Sequence, residues 1–187
     1  MDLIEAIVSR RSVGRLTEPA PTDDELTALL EHAVTAPDHG LLRPWRLIIV
    51  RDDARRLLGE AFVTASDDER AAAKPMRAPL LVSIVFSPRP SPKVPEWEQL
   101  AAVSAMVQNL CLLLHIKGWG SIWRSGAVTD APPVRAVLDL RATEQLLGWL
   151  YVGTPEPVQQ ARHRPLALAD VRARISTLDE KGVLRCA

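Results

Sequence analysis

Residues 80–86 read Leu-Leu-Val-Ser-Ile-Val-Phe, a nearly continuous apolar run. A strand with one face in water shows alternating polarity. This run has no polar face to give to water, so it must be covered on both sides. The second constraint is the segment from about Glu96 to Lys117. Leu100, Val103, Val107, Leu110 and Leu114 recur there at helical spacing, and Met106 and Leu113 widen the stripe until most of the surface is apolar. Such a helix is central, buried in its own domain or in a subunit interface. Its one gentler stripe is Ser104, Gln108, Cys111 and His115.

The remaining elements are arranged around these two. Residues 2–11 form a short helix with Leu3, Ile4, Ile7 and Val8 on one face. Thr22-Asp23-Asp24-Glu25 is a capping box, which starts a helix that runs to about Ala36 and stops at Pro37. Trp45 to Val50 reads as a strand and Asp53 to about Ala73 as a helix. The proline-rich stretch Ser87 to Pro95 is a loop. Gly118 and Gly120 end the long helix. Ser121 to Trp123 is a short strand, a helix covers about Pro132 to Leu138, and a strand covers about Leu146 to Val152. Beyond Gly153 the chain is rich in Pro, Arg and Ala and holds an amphipathic piece, Leu168 to Leu178. Helices dominate, and the fold class is α+β: a sandwich with a mixed sheet, not a doubly wound parallel sheet.

The length of 187 residues suits one domain with its own core. The formal net charge is zero, which argues against nucleic acid or an anionic membrane as the main partner. No stretch is expected to reach the length of a membrane span. The first eleven residues are too short and too acidic for a signal peptide, so the expected location is the cytoplasm. Cys111 and Cys186 lie in neither a C-x-x-C nor a metal-ligand spacing, so neither a disulfide nor a metal site is expected.

Two tripeptides carry the chemistry, Arg10-Arg11-Ser12 and Trp123-Arg124-Ser125. Each sets guanidinium beside hydroxyl, the donors that a phosphate ester uses. In a neutral chain without a basic run, two such pieces suggest one focused anion site. Other chemistries lack their parts. Gly118-Trp119-Gly120-Ser121-Ile122-Trp123 has Trp where a dinucleotide fingerprint needs its third Gly, and it leads into a strand. Ser125-Gly126 is not a nucleophile elbow. A hydrolytic triad from Ser125, His39 and Asp38 is disfavoured, because adjacent Asp and His rarely point at one another. The five indoles, Trp45, Trp97, Trp119, Trp123 and Trp149, would suit a planar redox-active ring with a phosphate tail.

The chain resembles the nitroreductase family of FMN-dependent NAD(P)H oxidoreductases, and most of all its short bacterial members. The matching pieces are Arg10-Arg11-Ser12, Ala36-Pro37-Asp38-His39 leading to Arg43-Pro44-Trp45, Arg77-Ala78-Pro79, Lys93 to Gln99, Gly120 to Gly126, and Leu150 to Pro155. They span about residues 1–155 of a single domain over 1–187, with 156–187 as a C-terminal arm or tail. The resemblance implies a three-layer sandwich in an intertwined homodimer with FMN at the subunit interface. It also implies a ping-pong reaction that passes electrons from NADPH or NADH to an electron-poor acceptor such as a nitroaromatic or quinone. The flavin would carry the chemistry, so no catalytic side chain is assigned.

For FMN, the resemblance points to Arg10, Arg11, Ser12, Thr35, His39, Trp123, Arg124 and Ser125. Arg10, Arg124 and Ser125 are expected at the phosphate, Arg11 at the ribityl chain or a ring carbonyl, and His39 from the partner subunit. Thr35 is neutral where some relatives hold a cation. The nicotinamide or substrate side is expected at Trp97 and Glu98 and at Leu113, Leu114, His115, Ile116, Lys117 and Gly118. Gly118 and Gly120 either let the backbone approach the flavin or simply end a helix. Arg10 could instead complement a helix C-terminus, and Arg11 could form a surface ion pair. A flavin-binding module with little reductase turnover remains an alternative, as does a structural dimer without flavin.

Overall fold

The structure is a computed structural model that describes residues 1–156, 171–178, 180 and 184–186. The chain divides into two compact units, Met1–Glu156 and Pro157–Ala187. The boundary falls beside Pro155, where the family resemblance fades. Arg162, His163 and Arg164, together with the start of the Leu168–Leu178 segment, lie outside the described residues. In the second unit, strands β6 (Ser176–Leu178) and β7 (Leu184–Cys186) form an antiparallel pair.

The first unit is built on a five-stranded sheet. Strand β5 (Gln145–Pro155) is its spine. Along one edge it pairs with β3 (Leu80–Phe86), which in turn pairs with β2 (Trp45–Arg51). Along its other edge lie β4 (Gly120–Arg124) and the two-residue β1 (Leu16–Thr17). All these ladders are antiparallel, and a parallel pairing occurs at an isolated bridge between Ser12 and Ser121. The expected mixed sheet is therefore antiparallel in its ladders. Apolar patterning marks where strands lie, but strand direction depends on how each connection crosses the sheet.

Strand β3 is buried along its whole length, as its composition requires. Leu80, Val82, Ile84 and Phe86 pack with α2 (Asp23–Ala33) and α4 (Glu96–Ile116) through Leu26, Leu29, Val103, Met106, Val107, Leu110 and Leu114. Leu81 and Val85 face the opposite layer, α3 (Asp52–Ser66) and α5 (Pro132–Val137), through Leu58, Phe62 and Val134. These are the three layers of a helix–sheet–helix sandwich. Helix α4 is long and apolar enough to cross a membrane by length and composition, which corrects the expectation that no stretch reaches that length. Here its apolar residues fill the core.

Helix ends follow local chemistry. The Thr22–Glu25 capping box is present, with Glu25 N–H donating to Thr22 Oγ1 at 3.2 Å and Thr22 N–H to Glu25 Oε2 at 2.8 Å. A second box, Asp2–Glu5, opens α1 (Leu3–Ser9). Helix α3 stops at Ser66, short of the expected Ala73. Asp67 adopts the left-handed conformation there at φ 52°, and short 3₁₀ turns follow over Glu69–Ala73 and Pro75–Arg77. Aspartate tolerates that conformation better than most residues, so the sequence signal for the stop is weak.

Candidate functional site

The first anchor is built where α1 ends. The Ser12–Ser121 bridge and a 3.0 Å bond from Val13 N–H to the Ser121 carbonyl hold residues 10–13 alongside the start of β4. A pocket of about 190 Å³ opens there, lined by Ser9, Arg10, Arg11, Val13, His115, Trp119, Gly120, Ser121 and Pro155. Arg10 is half-buried. The Arg11 Nη1 donates to the carbonyls of Val8 and Arg10, both at 2.7 Å. That fork caps the C-terminal end of α1, where a cation complements the helix dipole, so in this structure Arg11 performs the structural task first. Beneath the pocket, burial pushes the Cys111 thiol up, against a hydrogen bond with Ser121 and the charge of Arg10.

The second anchor lies at the other end of β4. Arg124 sets its guanidinium carbon 5.7 Å from the Tyr151 ring centroid, a cation–π contact. It lines a pocket of about 520 Å³ with Lys74, Arg77, Trp123, Ser125, Trp149 and Tyr151. Two buried donors there, Arg124 Nε and Trp149 Nε1, have no hydrogen-bond partner among the described residues. Buried donors are rarely left unpaired. Together with three cations, they make a site rich in unused donors among the described residues. Burial pushes the Tyr151 hydroxyl up, opposed by Arg124 and Arg77. Trp123 stays partly exposed, with its Nε1 donating to the Leu147 carbonyl at 3.1 Å.

The two Arg/Ser tripeptides border separate pockets, and the Arg124 guanidinium comes against Gly14, two residues beyond Ser12. Four residue steps separate Ser121 from Ser125, roughly 13 Å at strand rise. Alternation also sends Ser121 toward Cys111 in α4 and Arg124 toward Tyr151 on the opposite face. The result is two donor-rich pockets at the two ends of one strand.

The other expected residues divide between site and scaffold. His39 Nδ1 lies 2.8 Å from Glu98 Oε2, which joins the 39-loop to the first turn of α4. Asp38 does not orient His39. Its carboxylate accepts from the backbone N–H groups of Leu42 and Arg43, so no Asp38–His39–Ser125 triad forms. Trp97 is 69% exposed. Thr35 donates to the His32 carbonyl at the end of α2 and touches neither pocket. Of residues 113–118, Leu114 is fully buried in the α2–α4 core and has no surface to offer a nicotinamide. Ile116, Lys117 and Gly118 are exposed, whereas His115 turns back to the first anchor. Gly118, at φ +85°, closes α4 in a Schellman motif: its N–H donates to the His115 carbonyl, and the Trp119 N–H to that of Leu114. Gly118 is a helix end here, while Gly120 lets Leu16 and Pro155 pack against β4.

Residues 7–154 match the sequence model of the nitroreductase family. This chain belongs to the nitroreductase family. It is 36% identical over 164 residues to the Escherichia coli K12 protein named "Putative NAD(P)H nitroreductase YdjA", a match covering 83% of this chain and 90% of that one. A nitroreductase-like family protein from Bacillus cereus superposes with a TM-score of 0.81 at 25% identity, over 94% of this chain and 96% of that one. The FMN and NADPH-dependent nitroreductase NfnB from Sphigopyxis sp. strain HMH shares the fold, with a TM-score of 0.72 at 22% identity over 91% and 97% of the two chains. Sequence reading assigned no role to Lys74 or Arg77, the extra cations of the second pocket. Arg77-Ala78-Pro79 carries part of the family resemblance, but nothing local in the sequence places Arg77 in one pocket with Arg124.

Proposed function

We propose that this nitroreductase-family protein is an FMN-dependent oxidoreductase. It takes reducing equivalents from NADPH or NADH and passes them by a ping-pong mechanism to an electron-poor acceptor such as a nitroaromatic or quinone. The observation that carries this reading is the pair of donor-rich pockets at the two ends of β4, one of which holds buried donors without partners among the described residues. FMN is a matching ligand, because it presents a phosphate at one end and ring carbonyls at the other. We assign the phosphate to the pocket lined by Arg10 and Arg11, with Ser12 beside it on the strand bridge to Ser121. We assign the ring side to Arg124, Ser125 and Trp123, with Arg77 and Lys74, because a guanidinium held over the Tyr151 ring offers a planar donor fork to an acceptor edge. His39, tied to Glu98, and the exposed Trp97 are assigned to the acceptor side, and Thr35 to the margin of the site. Flavin, when bound, supplies the electron transfer, while the chain binds, orients and shields it.

The exposed apolar face of α1, formed by Leu3, Ile4, Ile7 and Val8 at 50–67% exposure, supports a homodimer, since these side chains gain little from water. Sedimentation is expected to give the dimer mass. A monomer at micromolar concentration would remove this part of the reading.

An absorbance spectrum of purified protein from 300 to 550 nm, before and after anaerobic NADPH or NADH, tests the activity. Twin flavin bands that bleach are expected. The absence of bands after FMN addition would overturn the reading. Arg124→Ala is expected to weaken FMN binding by about 1.5–3 kcal/mol, the scale of a hydrogen bond to a charged group. Unchanged affinity by fluorescence titration would refute the role of Arg124.

A further inference from the structure

His115, expected on the nicotinamide side, lines the pocket of Arg10 and Arg11. Its Nε2 lies 2.8 Å from Ser9 Oγ, and Ser9 Oγ itself donates to the Glu5 carbonyl at 2.5 Å. With its proton committed to Glu5, the hydroxyl can only accept from the imidazole. Nε2 therefore carries the ring proton, and Nδ1 is left as a basic lone pair. The ring ties the last turn of α4 to the last residue of α1, directly before Arg10, and it lines the same pocket as Arg10 and Arg11.

Three influences act on the charge of this imidazole. The C-terminal carbonyls of α4 favour a cation. Partial burial opposes it, and so do the two neighbouring guanidinium groups, so the ring is held below the ordinary histidine range by burial first and then by Arg10 and Arg11. The groups facing it from the packed elements are few. The segment after α1 brings Arg10 and Arg11. Helix α4 itself contributes the Cys111 thiol one turn earlier. Strand β4 brings the Ser121 hydroxyl, and the end of β5 brings Pro155, which does not titrate. Glu5 has its carboxylate turned to the Asp2 N–H, and Lys117 lines a different pocket with Glu25 and Trp119. An anion seated on Arg10 and Arg11 would offset the repulsion while leaving the helix dipole in place.

We propose that His115 is the positioning residue of the Arg10–Arg11 anion pocket, and that it takes up one proton from solvent at Nδ1 when a phosphate dianion binds there. The inference rests on the flavin reading and on the assignment of the phosphate to this pocket. Through Ser9, the imidazole fixes the point at which residues 10–12 leave α1. Once protonated, it becomes a third cation beside the phosphate. Binding and protonation then strengthen each other reciprocally.

The test is calorimetric titration of FMN into flavin-free full-length protein at pH 7, in two buffers of different ionisation heat, with riboflavin as the probe lacking phosphate. Wild type is expected to take up more protons with FMN than His115→Gln, which keeps an N–H donor for Ser9 but cannot titrate. The phosphate's own ionisation is common to both proteins and cancels in the difference. Between pH 8 and pH 6, the FMN affinity of wild type relative to His115→Gln is expected to rise about tenfold for each unit by which the dianion raises the imidazole. Riboflavin should show no such difference. Ser9→Ala should lose FMN affinity but keep the proton uptake. FMN binding with equal proton counts in wild type and His115→Gln would overturn the proposal and leave the flavin reading standing. Unchanged affinity in Ser9→Ala would overturn the positioning role. No FMN binding in any form would overturn both readings together.

Discussion

Replacing Arg46 by alanine is expected to destabilise the fold by about 3–5 kcal/mol, the range for breaking a buried ion pair from one side. Arg46 sits in β2 and grips Glu144, in the turn before β5, through a two-pronged contact: Nε to Oε1 at 3.1 Å and Nη2 to Oε2 at 2.6 Å. The Glu144 side chain has no solvent exposure. It also accepts from the Arg141 N–H at 3.0 Å, and Arg46 reaches on to the Asp139 carbonyl at 2.9 Å. The Arg46 guanidinium is the main reason that Glu144 is pushed down to about 2. Its folded value lies below its unfolded one, so the stabilisation is complete above about pH 4.5 and is lost as pH falls toward 2. A shift of that size corresponds to roughly 3 kcal/mol. Urea midpoints measured from pH 6 to pH 2.5 should therefore drop in wild type by more than in Arg46→Ala, which starts lower and has less left to lose. Parallel curves would show that the pair does not carry this stability. Replacing both residues with apolar ones of similar size should cost less than Arg46→Ala alone, because no buried carboxylate is then abandoned.

This pair also shows what the sequence could not reveal. Arg46 lies in a β-rich run, and nothing local marks it as the partner of a residue almost a hundred positions away. Features that depend on near neighbours were legible: the doubly covered run at residues 80–86, the Thr22–Glu25 capping box and the long apolar stripe of α4. Features that depend on chain crossing were not. Strand β1 is two residues long and has no periodicity to read, and the antiparallel direction of the ladders leaves no mark on composition. In the site, the two Arg/Ser motifs border two pockets rather than one. The parity of Ser121 and Arg124 along β4 was a readable signal that their side chains leave opposite faces. The contacts His39–Glu98 and Ser9–His115 join residues 59 and 106 positions apart, and sequence spacing has no hold on such pairs.

Gly148→Ala is expected to impair both the fold and the second anchor, at a cost of about 2–5 kcal/mol from backbone strain and forced displacement together. Gly148 holds φ +117°, a conformation that L side chains rarely adopt, at the bulge where β5 shifts register against Ile84 and Val85. A Cβ there would overlap the Arg124 carbonyl oxygen and lie 3.0 Å from Ser125 Cα. These contacts are backbone, so no flexible side chain can swing aside to make room. The hydrogen hence sets how closely the Arg124–Ser125 segment lies against β5, and with it where the guanidinium rests on Tyr151. Gly126→Ala is the natural control, since a Cβ at that position meets nothing within 4 Å. It should leave the urea midpoint nearly unchanged, whereas Gly148→Ala should lower both the midpoint and FMN affinity. A Gly148→Ala protein as stable as wild type would mean that β5 can relax its bulge without cost. Lost stability with full flavin affinity would mean that the bulge serves the sheet alone, and that Arg124 is held in place by Tyr151 rather than by the backbone beneath it.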